Sequence, residues 1–121
     1  MILATSNKQQ RLLCLQYIQR VTPAELTGAR DDIKALLAEL APGFRLLADF
    51  SQLESMDPEC VTEIGRTMEL LDQRGVDLIV RVIPAPAKDI GMNILTIFHY
   101  PQHSRVIACE NLADALRKLA L

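Results

Sequence analysis

Tryptophan is missing from this chain, and phenylalanine and tyrosine together supply only five of its 121 residues. Half of the residues are nonetheless hydrophobic, so the core has to be built from Leu, Ile, Val and Ala. Cysteine is scarce as well: Cys14, Cys60 and Cys109 lie far apart, are odd in number and form no CxxC pair. That pattern argues against a disulfide framework and a structural zinc site, and reduced thiols in a cytoplasm are the simplest reading. Neither sign of charge dominates: a net charge of −2 with interspersed acids and bases leaves no basic nucleic-acid footprint. No apolar run approaches the roughly 20 residues that a membrane-spanning helix needs. The opening MILATSNKQQ turns polar after four residues, too soon for the apolar stretch of a signal peptide. The expectation is one soluble cytoplasmic domain over residues 1–121, with no cofactor and no metal.

What is present is an alternation of strand and helix signals. Leu12 to Val21 mixes apolar residues with Gln and Arg, as a strand with one wetter face does, and Ile2 to Ala4 is a short edge strand joined to it by the polar SNKQQ. Thr22-Pro23-Ala24-Glu25 reads as a capping box with proline at the first helical position. Leu26, Ile33, Leu36, Leu37 and Leu40 then follow at helical spacing, with Arg30, Asp31, Asp32 and Lys34 on the other face. Phe44 to Phe50 is a short apolar strand, followed by a loop. A second helix runs from Pro58 to about Arg74, with Val61, Ile64, Met68 and Leu71 as its stripe and Gly75 as its C-terminal glycine. Val76 to Pro84 is a β-branched run of the kind covered on both faces. Ala87 to Tyr100 reads as an apolar third helix, Ser104 to Glu110 as a strand, and Asn111 as the cap of a last helix striped by Leu112, Leu116 and Leu119. Alternation of this kind implies a parallel or mixed sheet under covering helices. Ligands and partners of such folds tend to meet the carboxyl ends of the strands.

The segment FRLLADFSQLESMDPECVTEIGRTMELLDQRGVDLIVRVIP, from Phe44, resembles the central strand–loop–helix–strand of STAS domains, named for sulphate transporters and anti-sigma factor antagonists. Asp49 and Asp57 match the family's two acidic positions, and SRVIACENLADALRKL resembles its closing strand and helix. The resemblance implies an α/β, STAS-like single domain with a mixed sheet of four to five strands and about four helices. It further implies a non-enzymatic, anti-sigma factor antagonist-like module whose partner is a protein, a kinase-like anti-sigma factor or another regulator. Two positions depart from the pattern. Pro58 stands where the family carries its phosphorylatable Ser, so no phosphate can be placed there, and Cys60 stands where it usually has Gly. The chain is similar to a divergent STAS/SEC14-like bacterial branch.

The candidate partner-binding residues are therefore Ser55, Met56, Asp57, Pro58, Glu59 and Cys60. In the plainer reading Asp57 caps the helix, Pro58 presets φ, and Glu59 meets the positive end of the dipole. In the functional reading the same acidic tip is a docking surface. Cys60 is expected to pack rather than react, since the only bases on offer, His99 and His103, lie some forty residues downstream. Those two histidines flank Pro101, which keeps them from acting as a metal pair on one helix. Arg81 interrupts the most apolar strand and falls with Ile79 and Ile83, opposite Leu78, Val80 and Val82. The favoured reading is a strand-end or edge arginine whose head reaches water. The sharper one is an inward guanidinium that pairs with an acid or holds an anionic head group, with Lys88 and Asp89 near the same strand end. The wide apolar surface of the third helix offers a homodimer face. The alternative function is a small apolar-ligand or lipid carrier with its pocket under that helix.

Overall fold

In the computed structural model, residues 1–83 and 105–120 are described. The chain order is β1 (Ile2–Asn7), β2 (Leu12–Val21), α1 (Pro23–Leu37), β3 (Arg45–Met56), α2 (Cys60–Gln73), β4 (Leu78–Val82), β5 (Arg105–Cys109) and α3 (Leu112–Lys118). The strands form one five-stranded sheet in the order β1-β2-β3-β4-β5. β1 runs antiparallel to β2, and all other pairs are parallel. The expected mixed α/β sheet is thus found, with three helices among the described residues. The sequence-predicted third helix, Ala87 to Tyr100, lies outside the described residues, as do Lys88, Asp89, His99 and His103.

Period-2 alternation divides the strands between two faces. Leu13, Leu15 and Tyr17 of β2, Leu46, Ala48 and Phe50 of β3, and Ile79 of β4 join Leu26 and Ile33 of α1 and Ile64 and Met68 of α2 in one core. Leu12, Leu47, Leu78, Val80, Val82 and Cys109 meet Ala115 of α3 and Leu119 just beyond it on the other. β4 is buried along its whole length, as its β-branched run predicts.

α1 opens as expected. Thr22 Oγ1 accepts from the Glu25 amide at 3.3 Å, Pro23 takes the first helical position, and the Thr22 hydroxyl faces the Glu25 carboxylate. Asn111 caps α3 by accepting from the Asp114 amide at 2.9 Å. Gly75 follows α2 at φ +85°, the left-handed position a C-terminal glycine supplies.

Several expectations are corrected. β3 does not stop at Phe50; it continues to Met56, so Ser51–Met56 is strand rather than loop. The reason is pairing with β2, whose Arg20 and Val21 lie opposite Ser55 and Met56. The register slips twice, between Gln16 and Ile18 and between Gln19 and Arg20, so β3 carries two more residues than β2 over this span. Gln19 meets the slip with φ +58°. Bulges of this kind sharpen local twist. Val61 and Leu112 were expected in buried stripes but are 52% and 42% exposed; each sits in the first turn of its helix, beyond the sheet's cover. Arg30, assigned to the solvent face of α1, packs against α2 instead because Glu63 receives it there.

Candidate functional site

The strand pairs β2–β3 and β3–β4 are parallel, so their carboxyl ends share one rim. At that rim β3 hands over to α2. The handover is only Asp57, Pro58 and Glu59, and α2 begins at Cys60 rather than Pro58. Ser55, Pro58 and Glu59 are exposed, while Met56 and Asp57 are half-buried. Cys60 is fully buried, and its thiol lies 3.5 Å from the Val21 carbonyl oxygen, which accepts from it. The six predicted residues do form one tip, with Cys60 beneath it.

The side chain of Asp57 does not cap the helix. The capping position falls to Glu59, whose side chain makes no capping bond. Asp57 is instead gripped by Arg20: Nη2 donates to Oδ1 at 3.1 Å and Oδ2 at 3.2 Å, and Nε donates to Oδ1 at 3.3 Å. This fork outcompetes the cap because it offers a charged, planar donor set to both carboxylate oxygens. Arg20 is 67% exposed and Asp57 29%, so the pair adds no more than about 1 kcal/mol to stability. Its effect is positional: it ties the tip to the end of β2. The backbone assists, with the Asp57 amide donating to Val21 at 3.4 Å and the Cys60 amide donating to the Asp57 carbonyl at 2.9 Å.

Glu59 remains exposed beside Pro58 and the exposed Val61. The tip therefore presents one ungripped carboxylate and a small apolar surface on a tethered backbone. Burial, then the nearby Asp57 carboxylate, pushes the Cys60 thiol above its ordinary range. A thiol held in that form is a poor nucleophile, which agrees with a packing role. Arg20 was missed in the sequence. Its signal, an arginine one residue before the strand's end, has meaning only once β2 and β3 are known to lie side by side.

Asp49, the other matched acidic position, lies within β3, opposite Gln16 and Val82, and is buried. Its Oδ1 accepts from the Ser51 amide at 2.9 Å at the first register slip. It supports the bulge and stands apart from the tip.

Arg81 is corrected from an edge residue with a wet head. It sits in β4, between β3 and β5, and is 3% exposed. With Leu15, Tyr17, Phe50, Thr67 and Met68 it lines a cavity of about 30 Å³, room for a water molecule or two and far too little for an acyl chain. Tyr17 stacks on Phe50 there, ring centroids 4.5 Å apart, and burial pushes its phenol up to about 12. The carrier's pocket under the third helix lies outside the described residues. Among the described residues, no group of three or more His, Cys, Asp or Glu is placed to hold a metal ion. No helix among them is long and apolar enough to cross a membrane.

Behind the tip, α2 is braced against α1 by Glu63. Its carboxylate takes the Arg30 guanidinium, Arg66 Nη1 at 3.1 Å and the Thr27 hydroxyl at 3.3 Å, and its carbonyl takes Arg30 Nη1 at 3.1 Å. Hydrogen bonding from Arg30 holds the Glu63 carboxyl below the usual range. A depressed carboxyl stabilises the fold above its unfolded pKa, and that contribution is lost as pH falls through the folded value. The melting temperature of the wild type is thus expected to fall more steeply below pH 4.5 than that of Glu63→Gln. Parallel melting-temperature profiles for the two proteins would remove Glu63 as an acid-sensitive brace.

No family profile and no curated protein matches the chain. Solved structures do. One is an uncharacterized protein of the DUF3478 family from Shewanella loihica PV-4, described as having a SpoIIAA-like fold: TM-score 0.72 at 13% identity, over 98% of this chain and 92% of the other. Another is the anti-sigma factor antagonist SpoIIAA in its unphosphorylated form: TM-score 0.64 at 12% identity, over 99% and 98%. A third is an anti-sigma factor antagonist from Mycobacterium paratuberculosis: TM-score 0.62 at 17% identity, over 100% and 94%. The chain has the SpoIIAA-like, STAS fold.

Proposed function

We propose that this chain is a non-enzymatic, cytoplasmic protein-interaction module, antagonist-like in its mode of docking. The tip Ser55–Cys60 is its contact surface, and a kinase-like anti-sigma factor or another regulator is its protein partner. The observation that carries this reading is the Arg20–Asp57 fork. It holds Pro58, Glu59 and the neighbouring Val61 in a fixed, exposed arrangement, and a preorganised tip loses little freedom on binding. SpoIIAA, which shares the fold, is an anti-sigma factor antagonist known in phosphorylated and unphosphorylated forms. On the resemblance drawn from the sequence, Pro58 occupies the phosphorylatable position. Docking here is therefore constant, with Glu59 supplying permanent negative charge beside that position.

A photo-reactive phenylalanine analogue placed at position 59 should cross-link a specific protein in the source cell, whereas the same group at Asp31, on the exposed face of α1, should not. With that partner purified, Glu59→Lys is expected to weaken binding by roughly tenfold, about 1.4 kcal/mol. Equal cross-linking from both positions, or an affinity untouched by the reversal, would remove the tip as the contact.

A further inference from the structure

Among the described residues the sheet has two edges, β1 and β5, and they are not alike. β5 (Arg105–Cys109) carries an exposed charge within the strand itself, Arg105. β1 reads ILATSN and has no charge, no proline and no register slip against β2. Proteins ordinarily guard an edge strand with one of those three devices, since bare N–H and C=O groups invite another strand. Ile18 donates to the Met1 carbonyl at 2.8 Å, which fixes the antiparallel phase. Leu3, Thr5 and Asn7 turn their backbone groups toward β2, and Ile2, Ala4 and Ser6 turn theirs outward.

We infer that the outer edge of β1 pairs antiparallel with the β1 strand of a second copy of this chain, about a two-fold axis at Ala4. One register satisfies every outward group. The two Ala4 residues exchange a pair of hydrogen bonds, and Ile2 of each copy exchanges a pair with Ser6 of the other. The same register sets Leu3, which is 42% exposed, directly across from Thr5 of the other copy, in the close, non-hydrogen-bonded kind of pair. Charge is compatible with it. Glu25 lies at the amino end of β1, its carboxylate 2.7 Å from the Met1 amino group, and Lys8 follows the carboxyl end. Antiparallel pairing brings Lys8 of each copy alongside the Glu25 end of the other. Within one copy Lys8 has only a 3.8 Å approach to Glu39, with both side chains more than half exposed, so it is available. The two five-stranded sheets become one of ten strands, and the tip at Asp57–Glu59 stays uncovered on each copy. A strand-edge contact of this length is small, so the dimer is of the weak, concentration-dependent class.

Sedimentation equilibrium over a concentration series tests this. The wild type should shift from monomer to dimer as concentration rises, and Ala4→Pro and Leu3→Lys should each weaken association by tenfold or more. Proline at position 4 removes only an outward N–H, which an edge strand tolerates, and circular dichroism confirms that each variant stays folded. Hydrogen exchange on the unaltered protein gives a reading that no substitution can disturb. The amides of Ile2, Ala4 and Ser6 should slow as concentration rises, and those of β5 should not. A chain that stays monomeric to about 1 mM, a dimer indifferent to Ala4→Pro, or concentration-dependent protection on β5 instead would overturn it.

Discussion

Replacing Phe44 by alanine is expected to cost about 3–5 kcal/mol of folding stability. Phe44 is fully buried and is the largest such side chain among the described residues. It stands at the entry to β3, where its carbonyl accepts from the Asp77 amide at 2.8 Å at the entry to β4. The ring therefore fills the base of the core that α1 and α2 share, at the point where the register of β3 against β4 is set. The loss compares with a total stability of 5–15 kcal/mol for ordinary domains, and corresponds to a fall in melting temperature of roughly 10–20 °C. Val61→Ala, on an exposed side chain of α2, should stay within about 0.5 kcal/mol of the wild type. Urea titration of the three proteins decides it. A Phe44→Ala midpoint close to that of Val61→Ala would mean the base of the core is not packed as described.

Phe44 also shows what kind of structure was legible from sequence. Burial driven by apolar periodicity came through: the alternation of β2, the continuous run of β4 and the stripe of α1 all predict their faces. So did local chemistry that acts within four residues, the Thr22–Glu25 box and the glycine after α2. The second half of β3 did not. Its exposed Ser51, Gln52, Glu54 and Ser55 look like loop because they bury little. They are strand because β2 offers them a ladder, and a ladder leaves little periodic trace where only Leu53 and Met56 of the stretch pack against the core. The site failed to show for the same reason. Asp57 has the composition of a helix cap, and only a guanidinium 37 residues earlier in the chain diverts it. Arg30 and Glu63, 33 residues apart, were likewise unreadable as a pair. The sequence did place a helix start close to Pro58, two residues from where α2 begins; what ties that handover to β2 is a long-range ionic choice.

Gly75→Ala is expected to be the second large loss, and two physical terms in it can be separated. The residue sits at φ +85°, where an L side chain costs roughly 1–2 kcal/mol. A Cβ placed there would also come 2.9 Å from Pro42 Cβ and 3.3 Å from Pro42 Cα, closer than packed carbons approach. The turn cannot simply back away, since the Gly43 amide donates to the Gly75 carbonyl at 2.7 Å and locks it to the loop before β3. Asparagine tolerates the left-handed region better than alanine but carries the same Cβ. Gly75→Asn should therefore recover part of the backbone cost and none of the contact cost. Pro42→Gly removes the opposing Cβ and should do the reverse. In a double-mutant cycle Gly75→Ala should cost less in the Pro42→Gly background than in the wild type, by a coupling of about 0.5–1.5 kcal/mol. Gly43 supplies the contrast: it has φ +89°, and a Cβ there would meet no carbon of Pro42 but the Arg11 guanidinium, whose Nη2 donates to the Pro42 carbonyl at 2.6 Å. Gly43→Ala should thus show the backbone term and the loss of that hydrogen bond, and no relief when Pro42→Gly removes the Pro42 Cβ. Strictly additive losses at positions 42 and 75 would mean that the two turns do not press on each other, and that the base of the sheet is held by its hydrogen bonds without help from this contact.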